Sequence, residues 1–226
     1  MAVVTISREA GSGGDEVARR VSRILGYRYL DKTLMARVAR EQGISESEVV
    51  DYSEDNYRRR GLLASLLSRS AGIPAVTAIR ATARDTGTRD RWTLDEQSAV
   101  GLVAFAVQEL AKRGNVVIVG RGGQAILRDS PGVVHVRIVA AVFDRVQRLV
   151  ETEGLTHEAA VRSVGERDRA AAQYLRRFHD IDWSDPMLYD MTLNVSRLGE
   201  ERSTGLIVAA ARQLEGGVGE NLARSE

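Results

Sequence analysis

Four residues near the start of the chain, Gly11-Ser12-Gly13-Gly14, have the composition of a turn that binds an anion. They follow a short β-branched run and precede a helical pattern that opens with two acidic residues. Glycines let backbone N–H groups converge on one point, and the N-terminus of the helix adds partial positive charge. The same composition also suits an ordinary strand-to-helix turn without a ligand, because acidic residues favour any helix N-terminus.

This Gly-rich turn departs from the phosphate-binding pattern G-x-x-x-x-G-K-[ST] at two important positions. Gly14 occupies the lysine position and Asp15 the hydroxyl position. Arg8 is a cation directly before the turn, and a guanidinium can grip phosphate oxygens with two hydrogen bonds. Two roles are open for Arg8: it replaces the charge of the missing lysine, or it pairs with Glu9 or Glu16 and shapes the turn.

A second candidate site follows the clearest buried strand pattern of the chain, residues 115–119. Arg121 stands there within the run Gly120-Arg121-Gly122-Gly123. Open α/β sheets bind ligands at the carboxyl ends of their strands. This position favours a ligand-binding role for Arg121 over a surface ion pair, and we expect its side chain to be exposed.

The three histidines give weaker signals. His135 lies inside a strand pattern, which indicates a structural role, and His157 stands at a helix start, where we expect it to be exposed. His179 precedes Asp180 and Asp182, so a metal site is conceivable there. The spacing of these three residues is not typical of a metal-binding motif, so the metal ligands stay unknown.

The composition indicates a globular protein and excludes several classes. Hydrophobic residues make up 43% and charged residues 28% of the 226 residues, and the net charge of +1 gives no general attraction to nucleic acid or membranes. The absence of cysteine excludes disulfides, thiolate catalysis and cysteine-based zinc sites. We see no signal-peptide pattern and no apolar run near the roughly 20 residues of a membrane helix, so we expect a cytoplasmic protein.

Strand and helix patterns alternate along the chain, which predicts a parallel sheet covered by helices on both faces. The strand patterns are residues 3–6, 27–30, 115–119, 133–139 and 189–195. The main helical patterns are residues 15–25, 31–41, 94–113, 124–127, 143–153, 156–178 and 204–214, with a possible break near Gly165. We therefore predict an α/β fold of three layers.

The predicted organisation is one domain over residues 1–215, followed by a flexible tail over 216–226. The irregular segment 51–91 is expected to be an insert on the substrate side. The arginine-rich segment 155–187 is expected to be a lid.

Four blocks of sequence resemble the cytidylate kinase-like family when they are taken together and in order. They are residues 5–14, 29–32 and 117–125, and a C-terminal block of 166–169 with 182–186 and Tyr189. The resemblance extends from about residue 3 to residue 195. It implies the P-loop nucleoside monophosphate kinase fold, with helical lid and insert segments.

The resemblance also implies site residues and cofactors. ATP, with Mg²⁺, would bind the Gly-rich turn, and a nucleoside monophosphate or similar acceptor would bind opposite. The implied residues are Gly11, Ser12, Gly13 and Gly14 for the donor phosphates, Asp31, Arg37, Gly120 and Arg121 for the acceptor, and Arg167 and Arg169 in the lid, with Arg8 as the added catalytic candidate. Gly122 stands where the family's cytidylate kinases carry a base-reading aspartate, so the resemblance does not specify cytidine.

Three functions follow from these observations. The first is a phosphotransferase that binds a nucleotide and a small acceptor. The second is a nucleotide-binding sensor or partner-binding module with little or no activity, which the missing lysine favours. The third, a nucleic-acid-binding protein, is disfavoured by the net charge of +1. A homo-oligomer is possible through the apolar residues 62–67.

Overall fold

Five parallel strands form the sheet of the computed structural model, which describes residues 1–30 and 96–223, without the side chains of 96–99 and 217–223. The strand order is β2-β3-β1-β4-β5. The strands are β1 (Val3–Arg8), β2 (Arg28–Leu30), β3 (Val116–Val119), β4 (Val133–Val139) and β5 (Met191–Asn194). Because β3 and β4 flank β1 on opposite sides, the crevice for a ligand lies at the carboxyl ends of these three strands.

Helices cover both faces of the sheet, as predicted. They are α1 (Gly14–Leu25), α2 (Glu96–Lys112), α3 (Gly123–Ile126), α4 (Val142–Glu153), α5 (His157–His179) and α6 (Val195–Ala223). Alternate residues of β1 enter different layers because side chains of a strand alternate between its faces. Val4 and Ile6 pack in a cluster with α1 and α6, whereas Val3 packs with α2. The α/β fold of three layers is therefore confirmed.

Two helices differ from the sequence prediction. Helix α5 runs unbroken through Gly165, so the predicted break there is wrong. Ala160 and Val164 of α5 pack on α4, and this packing outweighs the helix propensity cost of about 1 kcal/mol for a glycine. Helix α6 begins directly after β5, bends at Gly199 (φ 73°, ψ 164°), and continues to Ala223, into the segment predicted as a tail.

Several predictions concern residues outside the described ranges, or properties that the structure does not test. Asp31, Arg37 and the predicted insert 51–91 lie outside the described residues. The single-domain organisation, the lid role of 155–187 and the flexibility of the tail stay predictions. No helix within residues 1–30 and 96–223 is long and apolar enough to cross a membrane.

Candidate functional site

The Gly-rich turn joins β1 to α1 with a backbone that only glycine adopts easily. Gly11 and Gly13 have φ angles of 74° and 83°, in the left-handed region. A Cβ atom built on Gly11 would lie 2.5 Å from the carbonyl oxygen of Arg145, so the neighbouring chain also leaves no room for a side chain. Gly13 caps α1 without a side-chain hydrogen bond, which leaves first-turn N–H groups of the helix for a ligand.

Ser12 places a polar atom inside this turn. The residue is only 1% exposed, and its amide donates to the Glu9 carbonyl at 3.1 Å. Its hydroxyl Oγ is buried and has no hydrogen-bond partner in the described part of the chain. An unpartnered buried hydroxyl costs free energy, which is expected where a ligand completes the hydrogen bonding.

A network of ion pairs around Arg145 of α4 stabilises the Gly-rich turn. The Arg145 side chain is 5% exposed. Its Nε donates to the Ala10 carbonyl at 2.8 Å, and its guanidinium pairs with Glu9 at 3.3 Å and with Asp168 of α5. Asp168 also accepts the Ala10 amide at 2.9 Å. Because buried charges are stable only when paired, these contacts fix the turn between two helices. No motif in the sequence assigns a role to Arg145 or Asp168.

Arg8 lies between the turn and the first turn of α1. Its Nε is 3.2 Å from Asp15 Oδ1, and its side chain is 16% exposed. A Cβ atom built on Gly14 would lie 2.5 Å from Arg8 Cβ and 2.9 Å from Cγ. The stem of Arg8 therefore occupies the space in which a side chain at the lysine position would begin.

Among the described residues, the acid that pairs with Arg8 is neither of the two considered from the sequence. Glu9 pairs with Arg145 and also accepts the Ala140 amide at 3.2 Å. Glu16 accepts a hydrogen bond from Arg20 at 3.0 Å, and this contact lowers the pKa of the Glu16 carboxyl. Glu16 therefore pairs along the helix, whereas the pair that shapes the turn is the one between Arg8 and Asp15.

A cavity of about 850 Å³ opens in front of the Gly-rich turn. Its walls come from β1, α1, α4, α5 and the start of α6. The cations that line the described part of the cavity are Arg8, Arg19, Arg148 and Arg167. Arg167 makes two hydrogen bonds to Glu153, at 2.6 and 2.5 Å. Of the two arginines that the family resemblance placed in the lid, Arg167 lines the cavity and Arg169 does not line its described part.

Arg148 of α4 lines the cavity and was not among the site residues predicted from the sequence. It donates to the Gly11 carbonyl at 3.0 Å and to Glu200 Oε1 at 3.0 Å. A Cβ atom on Gly13 would lie 3.0 Å from both Arg148 Cζ and Glu200 Oε1, so this ion pair lies directly against the turn. Its position inside an ordinary amphipathic helix carries no sequence signal.

A second unusual turn follows β3, and we call its residues Gly120, Arg121 and Gly122 the Arg121 turn. All three have left-handed φ angles, of 64°, 61° and 67°. For an arginine this conformation costs roughly 1–2 kcal/mol. The Gly120 amide donates to the Ile6 carbonyl of β1 at 2.9 Å, so both turns begin at the same edge of the sheet.

Arg121 is only 8% exposed, so the expectation of an exposed side chain is wrong. A pattern in the sequence of one strand does not show whether distant parts of the chain cover a side chain at its end. A buried arginine in a strained backbone next to the crevice is typical of a functional position. Asp31 and Arg37, the other predicted acceptor residues, lie outside the described part of the chain.

The histidines behave largely as predicted. His135 is buried in β4, where its Nδ1 lies 2.7 Å from the Thr5 hydroxyl oxygen, and His157 is exposed. His179 packs against Gly122, and burial lowers the pKa of its imidazole. Within residues 1–30 and 96–223 no three histidine, aspartate or glutamate side chains are grouped as a metal site.

Comparison with known proteins agrees with this arrangement of sheet and turns. The model of the cytidylate kinase-like family matches residues 3–197. A cytidylate kinase from Aeropyrum pernix is 26% identical over 209 residues, which cover 92% of this chain and 98% of that protein. One from Methanothrix thermoacetophila is 24% identical, over 94% of this chain and 99% of that protein.

A solved structure shares the fold. It is an uncharacterized protein from Eubacterium ventriosum, with a TM-score of 0.65 at 18% identity, and the match covers 94% of this chain and 99% of that chain. The sheet and its paired turns define an α/β protein with a crevice at the carboxyl ends of its parallel strands. The chain belongs to the cytidylate kinase-like family.

Proposed function

We propose that this protein is an ATP-dependent phosphotransferase that moves the terminal phosphoryl group of ATP to a nucleoside monophosphate or a similar small acceptor. The observation that carries this proposal is the Gly-rich turn, with its uncapped helix N-terminus, facing a cavity of about 850 Å³. A cavity of this size lies in the range of small-molecule sites, about 300–1,000 Å³. Membership of the family supports the same reaction class.

In this proposal the donor phosphates lie against Gly11, Ser12, Gly13 and Gly14. The first-turn amides of α1 and the Ser12 hydroxyl supply neutral donors, and Arg148 supplies a charged one. The buried contacts of Arg145 and Asp168 hold the turn in shape before the nucleotide arrives. Such preorganisation matters because phosphoryl transfer depends mostly on positioning and electrostatics.

Arg8 replaces the missing lysine in this proposal. Its stem fills the space of a side chain at residue 14, and its guanidinium lies beside the first turn of α1. From there it can stabilise the negative charge that develops on the transferring phosphoryl group. An arginine is always ionised at neutral pH, so it needs no pKa tuning for this role.

Mg²⁺ would accompany ATP, and the donor set at the turn fits this ion. Magnesium prefers oxygen ligands and is usually held by one or two carboxylates together with phosphates and water. Asp15 offers a carboxylate at the start of α1, with its side chain 51% exposed. Asp15 would hold the ion, which neutralises phosphate charge when bound.

The acceptor would bind at the Arg121 turn, which lies beside β1 at the same edge of the sheet. Asp31 and Arg37 are proposed to complete this site. Arg167 and Arg169 on α5 are proposed to close over the phosphates and exclude water. The pairing of Arg167 with Glu153 must then open during closure. A cytoplasmic location stays a prediction.

A second candidate function is a nucleotide sensor without turnover, and one observation favours it. Three arginines of the cavity are paired with carboxylates: Arg8 with Asp15, Arg148 with Glu200, and Arg167 with Glu153. These acids compete with phosphate for the cations. A protein that binds ATP weakly and moves a lid, without chemistry, would have the same pairs.

Two measurements on the wild-type protein separate these functions. Calorimetry with ATP, in the presence and absence of Mg²⁺, tests the donor site. A screen for phosphoryl transfer from ATP to CMP, UMP, AMP, dCMP and small alcohols tests the reaction. Binding together with transfer supports the phosphotransferase, binding without transfer supports the sensor, and the absence of ATP binding contradicts both.

A further inference from the structure

The Arg121 turn needs a support that its own sequence does not provide. Three consecutive left-handed residues, one of them an arginine, form a strained backbone. Strained turns persist only where neighbouring groups hold them in place. Among the described residues, His179, the last residue of α5, contacts this turn at Gly122.

The imidazole of His179 occupies the place of a missing side chain. A Cβ atom built on Gly122 would lie 2.5 Å from His179 Nε2 and 3.0 Å from both Cδ2 and Cε1. The Nε2 edge of the imidazole ring is therefore in contact with the turn. Tyr174, five residues earlier on α5, packs near the imidazole, with 5.7 Å between the ring centroids.

The same helix also holds the first turn. Asp168 of α5 accepts the Ala10 amide and pairs with Arg145, next to the Gly-rich turn. His179 follows eleven residues later, which corresponds to about 16 Å along a helix axis at 1.5 Å per residue. Helix α5 runs unbroken between the two contacts, so it sets the separation of the two turns.

We propose that His179 is a positioning residue for the acceptor site: its ring holds the Arg121 turn in the conformation that binds the acceptor. This inference rests on the proposed function, since it takes Arg121 as an acceptor-binding residue. His179 acts through the turn and does not itself take part in the transfer. Gly122 is required because the ring fills the volume of any side chain there.

The test compares two variants of His179 in steady-state transfer from ATP to CMP, UMP and AMP. His179→Ala removes the support, and we expect the acceptor KM to rise about tenfold to a hundredfold, as for misplacement of a binding group. The KM for ATP should change less than about twofold, because Asp168 still holds the Gly-rich turn. His179→Phe keeps a ring of similar size and should restore the acceptor KM.

Two further variants keep the test decisive. Gly122→Ala should also raise the acceptor KM. The double variant Gly122→Ala/His179→Ala should raise it by less than the product of the two single effects, because the clash with the ring is removed. His157→Ala, at the exposed start of the same helix, is the matched control and should leave both KM values unchanged.

The inference is overturned by a normal acceptor KM in His179→Ala. It is also overturned by equal rises of both KM values together with a lower melting temperature, which would indicate general loss of structure. A wild-type protein that neither binds nor phosphorylates any of the three nucleotides removes the proposed function, and this inference with it.

Discussion

At the scale of single residues, the catalytic role proposed for Arg8 predicts the effect of replacing it. Arg8→Ala removes the charge that replaces the lysine, and we expect turnover to fall about a hundredfold or more, as for loss of an important electrostatic donor. Arg8→Lys should recover part of this loss, because it keeps a charge but not the bidentate geometry. Initial rates at saturating ATP and acceptor measure both effects.

A variant that moves the positive charge from residue 8 to residue 14 is the control for Arg8→Ala. Arg8→Gly combined with Gly14→Lys frees the space beside residue 14 and puts a lysine at the position of the phosphate-binding pattern. We expect this double variant to be more active than Arg8→Ala. Unchanged turnover in Arg8→Ala would remove Arg8 from the mechanism.

Arg148 is expected to contribute to the affinity for ATP. Arg148→Ala removes a charged donor from the Gly-rich turn and leaves Glu200 beside it without this partner. A hydrogen bond to a charged group contributes about 1.5–3 kcal/mol, which predicts a Kd for ATP higher by about tenfold to a hundredfold. Calorimetry measures the Kd for ATP. Arg212→Ala, which changes an exposed arginine of α6, is the control. An ordinary Kd in Arg148→Ala would show that ATP does not lie against this residue.

At the scale of the elements, the approach of α4 to the Gly-rich turn predicts different effects for two glycines. Gly11→Ala adds a methyl group 2.5 Å from the Arg145 carbonyl, at a φ of 74°. Gly154, just after the end of α4, has a similar φ of 66°, and among the described residues no atom beyond its neighbours lies within 4 Å of a Cβ built there. Gly154→Ala should therefore cost only the backbone strain, about 1–2 kcal/mol, and Gly11→Ala should cost more.

Chemical denaturation of both glycine variants measures this difference, and ATP binding should be lost in Gly11→Ala alone. Equal free energies of unfolding, with ATP binding intact in both, would show that α4 does not constrain the turn.

The strands and helices were largely predictable from local sequence patterns. The contacts between them were not. The β-branched run of residues 133–139 predicted β4 with its observed bounds, because valine and isoleucine fill five of its seven positions. The continuity of α5 through Gly165 depends on packing against α4, which a local pattern does not contain. The same limit hid Arg145 and Asp168, whose pairing joins residues 23 positions apart on two helices.

Of the candidate site, the sequence predicted the positions of the two glycine-containing turns. The Gly-rich turn and Gly120 with Arg121 stand out because strands followed by glycines mark the ligand edge of a parallel sheet. The burial of Arg121 and the position of Arg148 follow from how distant segments pack. No spacing in the sequence encodes them.

At the scale of the whole molecule, two histidines, the buried His135 and the partly buried His179, predict how stability depends on pH. Burial lowers the pKa of His135 and of His179 below the ordinary value of about 6.5. The unfolded chain therefore binds more protons than the folded one just below that pH. The stability that these two residues contribute is present above about pH 6.5 and is lost as the pH falls through their lower folded values.

Melting temperatures between pH 8 and pH 5 test this dependence. His179→Phe should show a smaller fall towards pH 5 than the wild type, because one of the two titrating groups is gone. His157→Gln, which changes an exposed histidine, should match the wild type. Equal falls in all three proteins would mean that these two histidines do not govern this range.

The most direct test of phosphotransferase activity is transfer of radiolabelled terminal phosphate from ATP to CMP, UMP and AMP, measured for the wild type and Arg8→Ala side by side. We predict a labelled nucleoside diphosphate from at least one acceptor with the wild type, and a yield about a hundredfold lower with Arg8→Ala. The absence of any labelled product from a wild-type protein that binds ATP would contradict the phosphotransferase and leave the nucleotide sensor.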